Sequence, residues 1–495
     1  MAIAACSLTC AIGWLCLSMT LLPVADLPNH MARLFILSRI ATEQQLAVYY
    51  QTFWHFQPNL ALEGVAWLLE PFTDIYTMGR LLGVATYASL AIGLIALHRA
   101  LHACFSSAAL LPFVLIVNRY FIWGSLGYLI ALGMAFVALA AWIACRDRPY
   151  ARLTLGTVLA TAVFFAHLYA FAVYTICIAG YECFLLWPRF HWREIVARGT
   201  VAIIQLLPAA LLYFCFLTPI PPPHHAMAWR PLWEKAAGLV TLVPGYNYAL
   251  EITIVALCFL PPLIAWLRGA AVFRGDLLVA LIAFAVLYLV MPAEMCSGYG
   301  ADSRLLVPLA LLTLVCFDWR AGSVRARLLQ WVLVGLVNIA HIGPLAIQWR
   351  SFERTYANLV SLTSLTELGA SVAGAAVNAS REYLPIPPLQ EIVSLFVIDR
   401  SNFVPSLFVF PNSTSSPLRY TPAYAPVAVR LNVISALTKE AAQAKFDRLQ
   451  PYMARGRIDY FLLIDDRRFA LHVPENYQMI AQTEDGRSRL FRITN

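Results

Sequence analysis

Charge is scarce in this chain. Asp, Glu, Lys and Arg make up 13% of its 495 residues, while 60% are hydrophobic. A soluble domain carries about a quarter of its residues as charges, so most of this chain cannot be surfaced by water. The scarcity is uneven: residues 1–345 hold 19 of the 35 Lys and Arg and 14 of the 27 Asp and Glu, leaving 16 and 13 for the last 150 residues. That remainder is ordinary for a soluble domain, so charge density alone places a boundary near Trp349. Basic runs interleaved with aromatics are also lacking, and the net charge of +8 therefore reads as membrane topology rather than a nucleic-acid surface. All 11 cysteines lie between Cys6 and Cys316, so the tail folds without disulfides. They form no CxxC or Cys/His cluster of metal-ligand spacing, and read as buried thiols.

What is present in abundance is long apolar runs. A membrane span needs about 20 such residues. Candidate spans are 3–23, 78–97, 104–117, 122–145, 153–166, 168–187, 195–219, 249–267, 277–292, 304–317 and 327–345, about eleven in all. The stretch 153–187 is split at His167 because the flanking basic loops then fall on one side. With the N-terminus in the cytoplasm, the inner turns carry twelve basic residues, from Arg99 to Arg327, and the outer ones seven. The positive-inside rule then puts the tail outside. The expected architecture is a membrane all-α bundle of about eleven transmembrane helices over 1–345, followed by a soluble external α/β domain over 346–495. An alternative, a cleaved signal peptide over the first run, has little support: there is no basic n-region, and Val24-Ala25 is a poor cleavage site.

The outer loops are unequal. The first, 24–77, exceeds fifty residues, and Ile220 to Tyr248 holds the run Pro221-Pro222-Pro223-His224-His225 and an amphipathic stretch from Leu232 to Val243. Long loops on one face of a bundle carry function more often than mere connection. No internal repeat or matched pair of interrupted helices is evident, which counts against the common transporter plan. In the tail, Ser351–Val377 and Lys439–Arg455 have helical periodicity, and Pro405–Phe410, Asp459–Ile464 and Arg489–Ile493 read as strands. The tail carries no catalytic signature and reads as a lid or docking domain.

The residues suited to chemistry gather at the outer ends of the helices. Directly after the first run comes Asp26-Leu27-Pro28-Asn29-His30-Met31-Ala32-Arg33. Pro28 stiffens the backbone, and Asn29 and Arg33, four apart, share a helix face. A carboxylate near an imidazole and a guanidinium is suited to acid/base and anion chemistry. Arg304, in Ala301-Asp302-Ser303-Arg304, opens an apolar helix, where a charge is costly without a partner. Arg119-Tyr120 sits similarly between two runs, and Lys235 is a further outer cation. His167 lies in an apolar stretch, and Glu63 is a second carboxylate in the loop of Asp26. For each the bland reading stays open: an interfacial anchor, a snorkelling cation, a satisfied buried histidine. Adjacent His224 and His225 point apart in an extended chain and suit joint ligation poorly; Glu182 lies toward the inner end of its run. Sequons at Asn378 and Asn412 carry no weight without a known secretory context.

An apolar first helix, an acidic residue opening a long outer loop, about ten more helices and an outer C-terminal domain together resemble GT-C-fold glycosyltransferases. The Asp26–His30 segment and Phe121-Ile122-Trp123-Gly124-Ser125-Leu126-Gly127-Tyr128 resemble segments of bacterial membrane proteins of this type. The resemblance implies a bacterial inner-membrane enzyme that moves a sugar from a polyprenyl-phosphate-linked donor to a saccharide, lipid or protein acceptor. Asp26 would match the base, and His30, Arg33, Glu63, Arg119, Tyr120, His167, Lys235 and Arg304 would bind substrate. The family's tandem acidic pair is absent, since Leu27 follows Asp26, so a divalent cation stays an open role with no ligand cluster to hold it. A flippase or a polymerase of lipid-linked saccharides remains the alternative.

Overall fold

The computed structural model describes residues 2–494 apart from 55, 105, 188–190, 217–226, 296–297, 321, 379–388, 410–415, 429–432, 437, 456–457 and 466–467. Helix α1 (Ala2–Leu17) leads into a structured loop of α2 (Leu27–Arg39), α3 (Gln44–Tyr49), strand β1 (Tyr50–Thr52) and α4 (Ala61–Leu69). Then come α5 (Ile75–His102), α6 (Arg119–Trp123), α7 (Leu126–Ala144), α8 (Pro149–Ala166), α9 (Leu168–Leu186), α10 (Trp192–Phe216), α11 (Leu232–Gly238) and α12 (Tyr248–Leu267). Strand β2 (Ala271–Phe273), α13 (Leu278–Val290), the short pair β3 (Glu294–Met295) and β4 (Gly298–Tyr299), α14 (Leu306–Val315) and β5 (Phe317–Trp319) lead to α15 (Val324–Thr363).

Seven of these helices are long and apolar enough to cross a membrane: α5, α7, α8, α9, α10, α12 and α15. Three shorter apolar segments, 2–17, 275–290 and 303–315, lie where three more spans were expected. The remaining one, 104–117, leads from the far end of α5, where Cys104 meets Asp318, back to α6, but its form differs from the expected helix. Its core, Ser107–Leu115, is a 3-10 helix with Pro112 inside and all nine residues buried. Proline removes a backbone donor and clashes with the preceding turn, so this stretch is not a regular α-helix. The division at His167 matches the structure, where that residue alone separates α8 from α9. At the centre, α5 and α7 cross closely: a Cβ on Gly93 would lie 2.5 Å from the Gly133 carbonyl oxygen.

The tail holds β6 (Val372–Asn378), α16 (Leu395–Arg400), β7 (Leu418–Tyr420), β8 (Val433–Ser435), α17 (Lys439–Arg455), β9 (Tyr460–Asp465), β10 (Tyr477–Gln482) and β11 (Ser488–Ile493). A five-stranded sheet runs β10-β11-β9-β6-β8, with β6 parallel to β8 and β9. The expected helix from Ser351 to Val377 ends at Thr363, because α15 runs unbroken through position 345 and the small residues Val372–Val377 form β6 instead. Their alanines favour a helix locally, but burial between two parallel strands overrides that weak preference. The expected strand at Pro405 is irregular chain through Val409, held from outside rather than by a ladder: Tyr420 Oη donates to the Val404 carbonyl at 3.0 Å and accepts from Leu407 N–H at 3.2 Å.

Loop and tail form one packed body. Strand β1 pairs antiparallel with β7, matching Tyr50 to Tyr420 and Thr52 to Leu418. Tyr50 Oη accepts from Val404 N–H at 3.0 Å, and Tyr49, Tyr50, Phe403, Tyr420 and Tyr424 form an edge-to-face and tilted aromatic cluster. Such contacts bury large apolar area with specific geometry. The tail is thereby seated on the segment that begins with Asp26.

Candidate active site

Asp26 precedes α2 at the position where a side chain normally accepts backbone N–H groups, and Pro28 fixes the first turn. Its φ and ψ of −87° and −6° are helical rather than extended, and its carboxylate makes no capping hydrogen bond. The backbone is held instead by α6. Ala25 N–H donates to the Ile122 carbonyl and Asp26 N–H to that of Trp123, both at 2.9 Å. The helix α6 starts at Asn118, whose side chain accepts from Tyr120 and Phe121 N–H, and stops at Gly124, with φ of +107°. A Cβ at Gly124 would lie 2.6 Å from Asp26 Cβ. Gly124→Ala is therefore expected to push Asp26 aside and to lower any turnover that depends on it on the order of 100-fold, while the protein stays in the membrane. Unchanged turnover of that variant would show that Asp26 is not held by this contact.

The charges that act on Asp26 come from two distant parts of the chain. Burial is the main cause that holds its carboxyl well above the ordinary range; the Glu391 charge adds to this, and Arg304 pulls it back down. Glu391 belongs to the tail and is 1% exposed. Asn29, one turn into α2, donates to Glu391 Oε2 at 3.1 Å and to the Ser406 carbonyl at 3.3 Å, and its Oδ1 accepts from Phe408 N–H at 2.9 Å. Asp26 of the first loop and Glu391 of the tail thus stand close enough for the charge of one to act on the other.

Arg304 approaches from the start of α14. Its carbonyl accepts from Tyr128 Oη at 3.0 Å, and its guanidinium lies 6.0 Å from the centre of the Tyr169 ring. Arg304 is partly buried. Among the described residues no carboxylate is in ion-pair contact with it, and its Nε has no hydrogen-bond partner. A cation so placed is costly unless an anion visits it. Two histidines border the same region. His167 Nδ1 accepts from Tyr169 N–H at 3.1 Å, and its ring stands edge-on to Tyr128. Burial, then the Arg304 charge, lowers its pKa to about 3. His30 stands edge-on to Phe408 and is likewise lowered to about 3, by burial and then by Arg33. Both are therefore neutral near pH 7.

The other candidates have resident partners. Arg33 pairs with Glu63 at 2.9 Å and donates to Ser416 Oγ at 3.2 Å, tying α2, α4 and the tail together. Lys235 donates to the Tyr288 and Met291 carbonyls at 2.6 and 2.8 Å and to Asp302 at 3.1 Å. All three of its protons are thereby engaged, so Lys235 braces the Arg304 segment through Asp302 and presents no open charge. Tyr120 Oη lies 2.6 Å from Ser303 Oγ, one residue from Arg304, and Arg119 hydrogen-bonds Tyr248 on α12. Glu182 is remote from all of these, held by Arg152, Arg198 and Trp142. His224, His225 and Asn412 lie outside the described residues. No group of three His, Cys, Asp or Glu arranged to hold a metal occurs among the described residues.

Comparison with known proteins adds the fold. No family model and no curated protein matches the sequence. Among solved structures, apo ArnT from Cupriavidus metallidurans superposes with a TM-score of 0.55 over 99% of this chain and 97% of its own, at 11% identity. The chain has the GT-C fold. The same ArnT bound to undecaprenyl phosphate gives a TM-score of 0.53 at 11% identity, with the same coverage of both chains. The arabinofuranosyltransferase AftD from Mycobacteria gives 0.47 at 13% identity, with 40% of that chain covered. The two segments that carried the resemblance in sequence, Asp26–His30 and Phe121–Tyr128, are the two that this GT-C fold presses together through the Asp26–Trp123 hydrogen bond.

Sequence reasoning missed Glu391, Gly124, Tyr128 and Tyr169 as members of the site. Glu391 did leave a trace: it opens the apolar run Ile392-Val393, the same signature of a costly charge that drew attention to Arg304. Gly124 and Tyr128 stood in the resembling segment Phe121–Tyr128 without a role of their own, and Tyr169 left no trace, because a tyrosine at the end of an apolar helix is ordinary there.

Proposed function

We propose that this GT-C protein is an integral membrane glycosyltransferase that moves a sugar from a polyprenyl-phosphate-linked donor to an acceptor on the outer face of a bacterial inner membrane. The observation that carries the reading is the meeting of Asp26 with Arg304, a base and a partly buried cation that no carboxylate among the described residues holds in ion-pair contact, at one end of the helical bundle. The ArnT neighbour, solved with undecaprenyl phosphate, supports a lipid phosphate as the anion that Arg304 receives.

The chemistry needs little else. The acceptor hydroxyl oxygen forms a bond to the anomeric carbon, the bond from that carbon to the phosphate oxygen breaks, and the polyprenyl phosphate leaves. Asp26 takes the hydroxyl proton, and Arg304 meets the charge that develops on the leaving phosphate. A carboxylate made more basic by its surroundings accepts that proton more readily. Glu391, brought by the tail, does this for Asp26, which gives the tail a place in the reaction. Lys235, Asp302, Arg33 and Glu63 brace the elements that carry the reacting groups, and His30 and His167 supply neutral hydrogen-bonding edges.

The sign of the pH dependence follows. Asp26 reacts as the carboxylate, so activity rises with pH through its raised pKa, above the ordinary carboxylate value of about 3.9. Glu391→Gln removes an anion that raises this pKa, so the acid limb of the pH–rate profile moves to lower pH. Removal of Arg304, which lowers it, moves the limb to higher pH. Shifts in the same direction would contradict the assignment.

The reading is tested by incubating purified protein with a labelled polyprenyl-phosphate sugar and envelope acceptors, and following the release of bare lipid phosphate. Release coupled to acceptor labelling is expected. Donor that stays intact throughout, or crosses a vesicle membrane intact, assigns the protein to lipid-sugar translocation instead.

A further inference from the structure

The chain between β1 and α4 is fastened across the turn that joins α8 to α9. Leu60 N–H donates to the Phe165 carbonyl at 2.9 Å, and Asn59 Oδ1 accepts from Leu168 N–H at 3.0 Å. Asn59 takes a φ of +67° there, a conformation that asparagine tolerates better than most residues. Phe56 adds an edge-on contact to Phe165, with ring centres 5.1 Å apart. Within this strap lies Gln57. It is 1% exposed, and neither its Oε1 nor its Nε2 has a hydrogen-bond partner.

That is a costly arrangement with no structural return. A primary amide carries two donors and an acceptor, and buried polar groups in native proteins are satisfied with few exceptions. The place of the strap explains the exception. The turn it crosses is built around His167, whose ring meets Tyr128, and Tyr128 is one helical turn beyond Gly124, where Asp26 rests. On its other side α4 packs on the start of α7, since a Cβ on Gly127 would be 3.4 Å from Leu62 Cγ. The strap is thereby linked through His167 and Tyr128 to Arg304, whose carbonyl Tyr128 Oη meets and whose charge acts on His167. A sugar hydroxyl both donates and accepts, which is what an unpaired amide lacks.

We propose that Gln57 is a sugar-recognition residue, its amide receiving hydroxyl groups of the donor's sugar. The inference rests on the glycosyl-transfer reading and gives it a specificity element: the first loop selects the sugar, whereas Arg304 holds the lipid phosphate common to every donor. A site built to hydrogen-bond a substrate hydroxyl discriminates strongly against analogues without it, because its own groups are then stranded.

The test measures binding of purified full-length protein to bare undecaprenyl phosphate and to undecaprenyl phosphates carrying a hexose, a pentose or an amino sugar. The wild-type protein is expected to favour one sugar-bearing lipid over the bare one. Gln57→Leu is expected to erase about tenfold or more of that preference, to leave bare-lipid affinity unchanged, and to leave Tm unchanged or raised, since no unpaired amide remains. Gln57→Met, unbranched and of similar reach, gives the same result if Leu packs badly. Preference intact in both variants would overturn the role of Gln57 and leave glycosyl transfer standing. Absence of any sugar preference in the wild-type protein would overturn the transferase reading and this inference together.

Discussion

Asp26→Asn is expected to lower sugar transfer by a factor on the order of 10² to 10⁴, the usual contribution of a positioned base, and to leave the protein folded in the membrane. The second half of that expectation follows from electrostatics. Because burial and Glu391 hold the Asp26 carboxyl well above its ordinary range, the ionised form is disfavoured in the folded protein relative to the unfolded chain. Ionising it therefore costs stability, and the cost grows as pH rises above the unfolded value. An amide of the same size removes that cost, so Tm at pH 7 is unchanged or slightly raised. Donor binding also survives, since the lipid phosphate is met by Arg304. A variant with full turnover would remove Asp26 from the chemistry. One that unfolds would show that the carboxylate is structural.

Arg304→Gln gives the complementary result. The leaving phosphate loses its cation, and turnover falls on the order of 10²- to 10³-fold, as when a donor is removed from a charge-stabilising site. Unlike Asp26→Asn, this variant loses affinity for bare polyprenyl phosphate, because the charge it removes is the one that the lipid phosphate meets before and after transfer. Arg304→Lys restores part of the affinity, limited by the loss of the planar fork and of the Tyr169 ring beneath it. Paired phosphate-binding measurements on the two variants separate base from anion site. Equal affinity in both would merge the two roles and contradict the division of labour.

How much of this was legible in the sequence depends on how local each signal is. Asp26 was legible because a charge directly after an apolar run, followed by Pro28, is a pattern within a few residues. Arg304 was legible for the same reason. Lys235 read only as a further outer cation, and its local sequence holds no sign that Tyr288, Met291 and Asp302 take all three of its protons. Pairing is a tertiary fact. Glu391 is the sharper case: it lies 365 positions beyond Asp26, and it reaches the site only because Asn29 binds it and β1 pairs with β7. At Ser107–Leu115 the apolar run gave the burial but not the 3-10 form, since hydropathy records burial and not the manner of burial. In the tail, α17, β9 and β11 followed their local periodicity, whereas β6 was hidden by the helical preference of its alanines.

The tail also changes meaning once the fold is in view. Composition separates it from the helical bundle, yet α15 runs through that boundary without a break, and the first loop is pinned to the tail by a strand pair, an aromatic cluster and Asn29. A site at such a seam closes only when both parts are present. That suits a reaction whose donor arrives from the bilayer and whose acceptor arrives from outside it.

The most direct measurement reconstitutes wild-type and Asp26→Asn protein in vesicles with a polyprenyl phosphate carrying a radiolabelled sugar, and follows the label and the lipid separately. The account predicts that the wild-type protein parts sugar from lipid and labels an acceptor, and that Asp26→Asn binds the same lipid but leaves it intact. Equal transfer by both proteins, or passage of the intact lipid-linked sugar across the membrane by either, would contradict it.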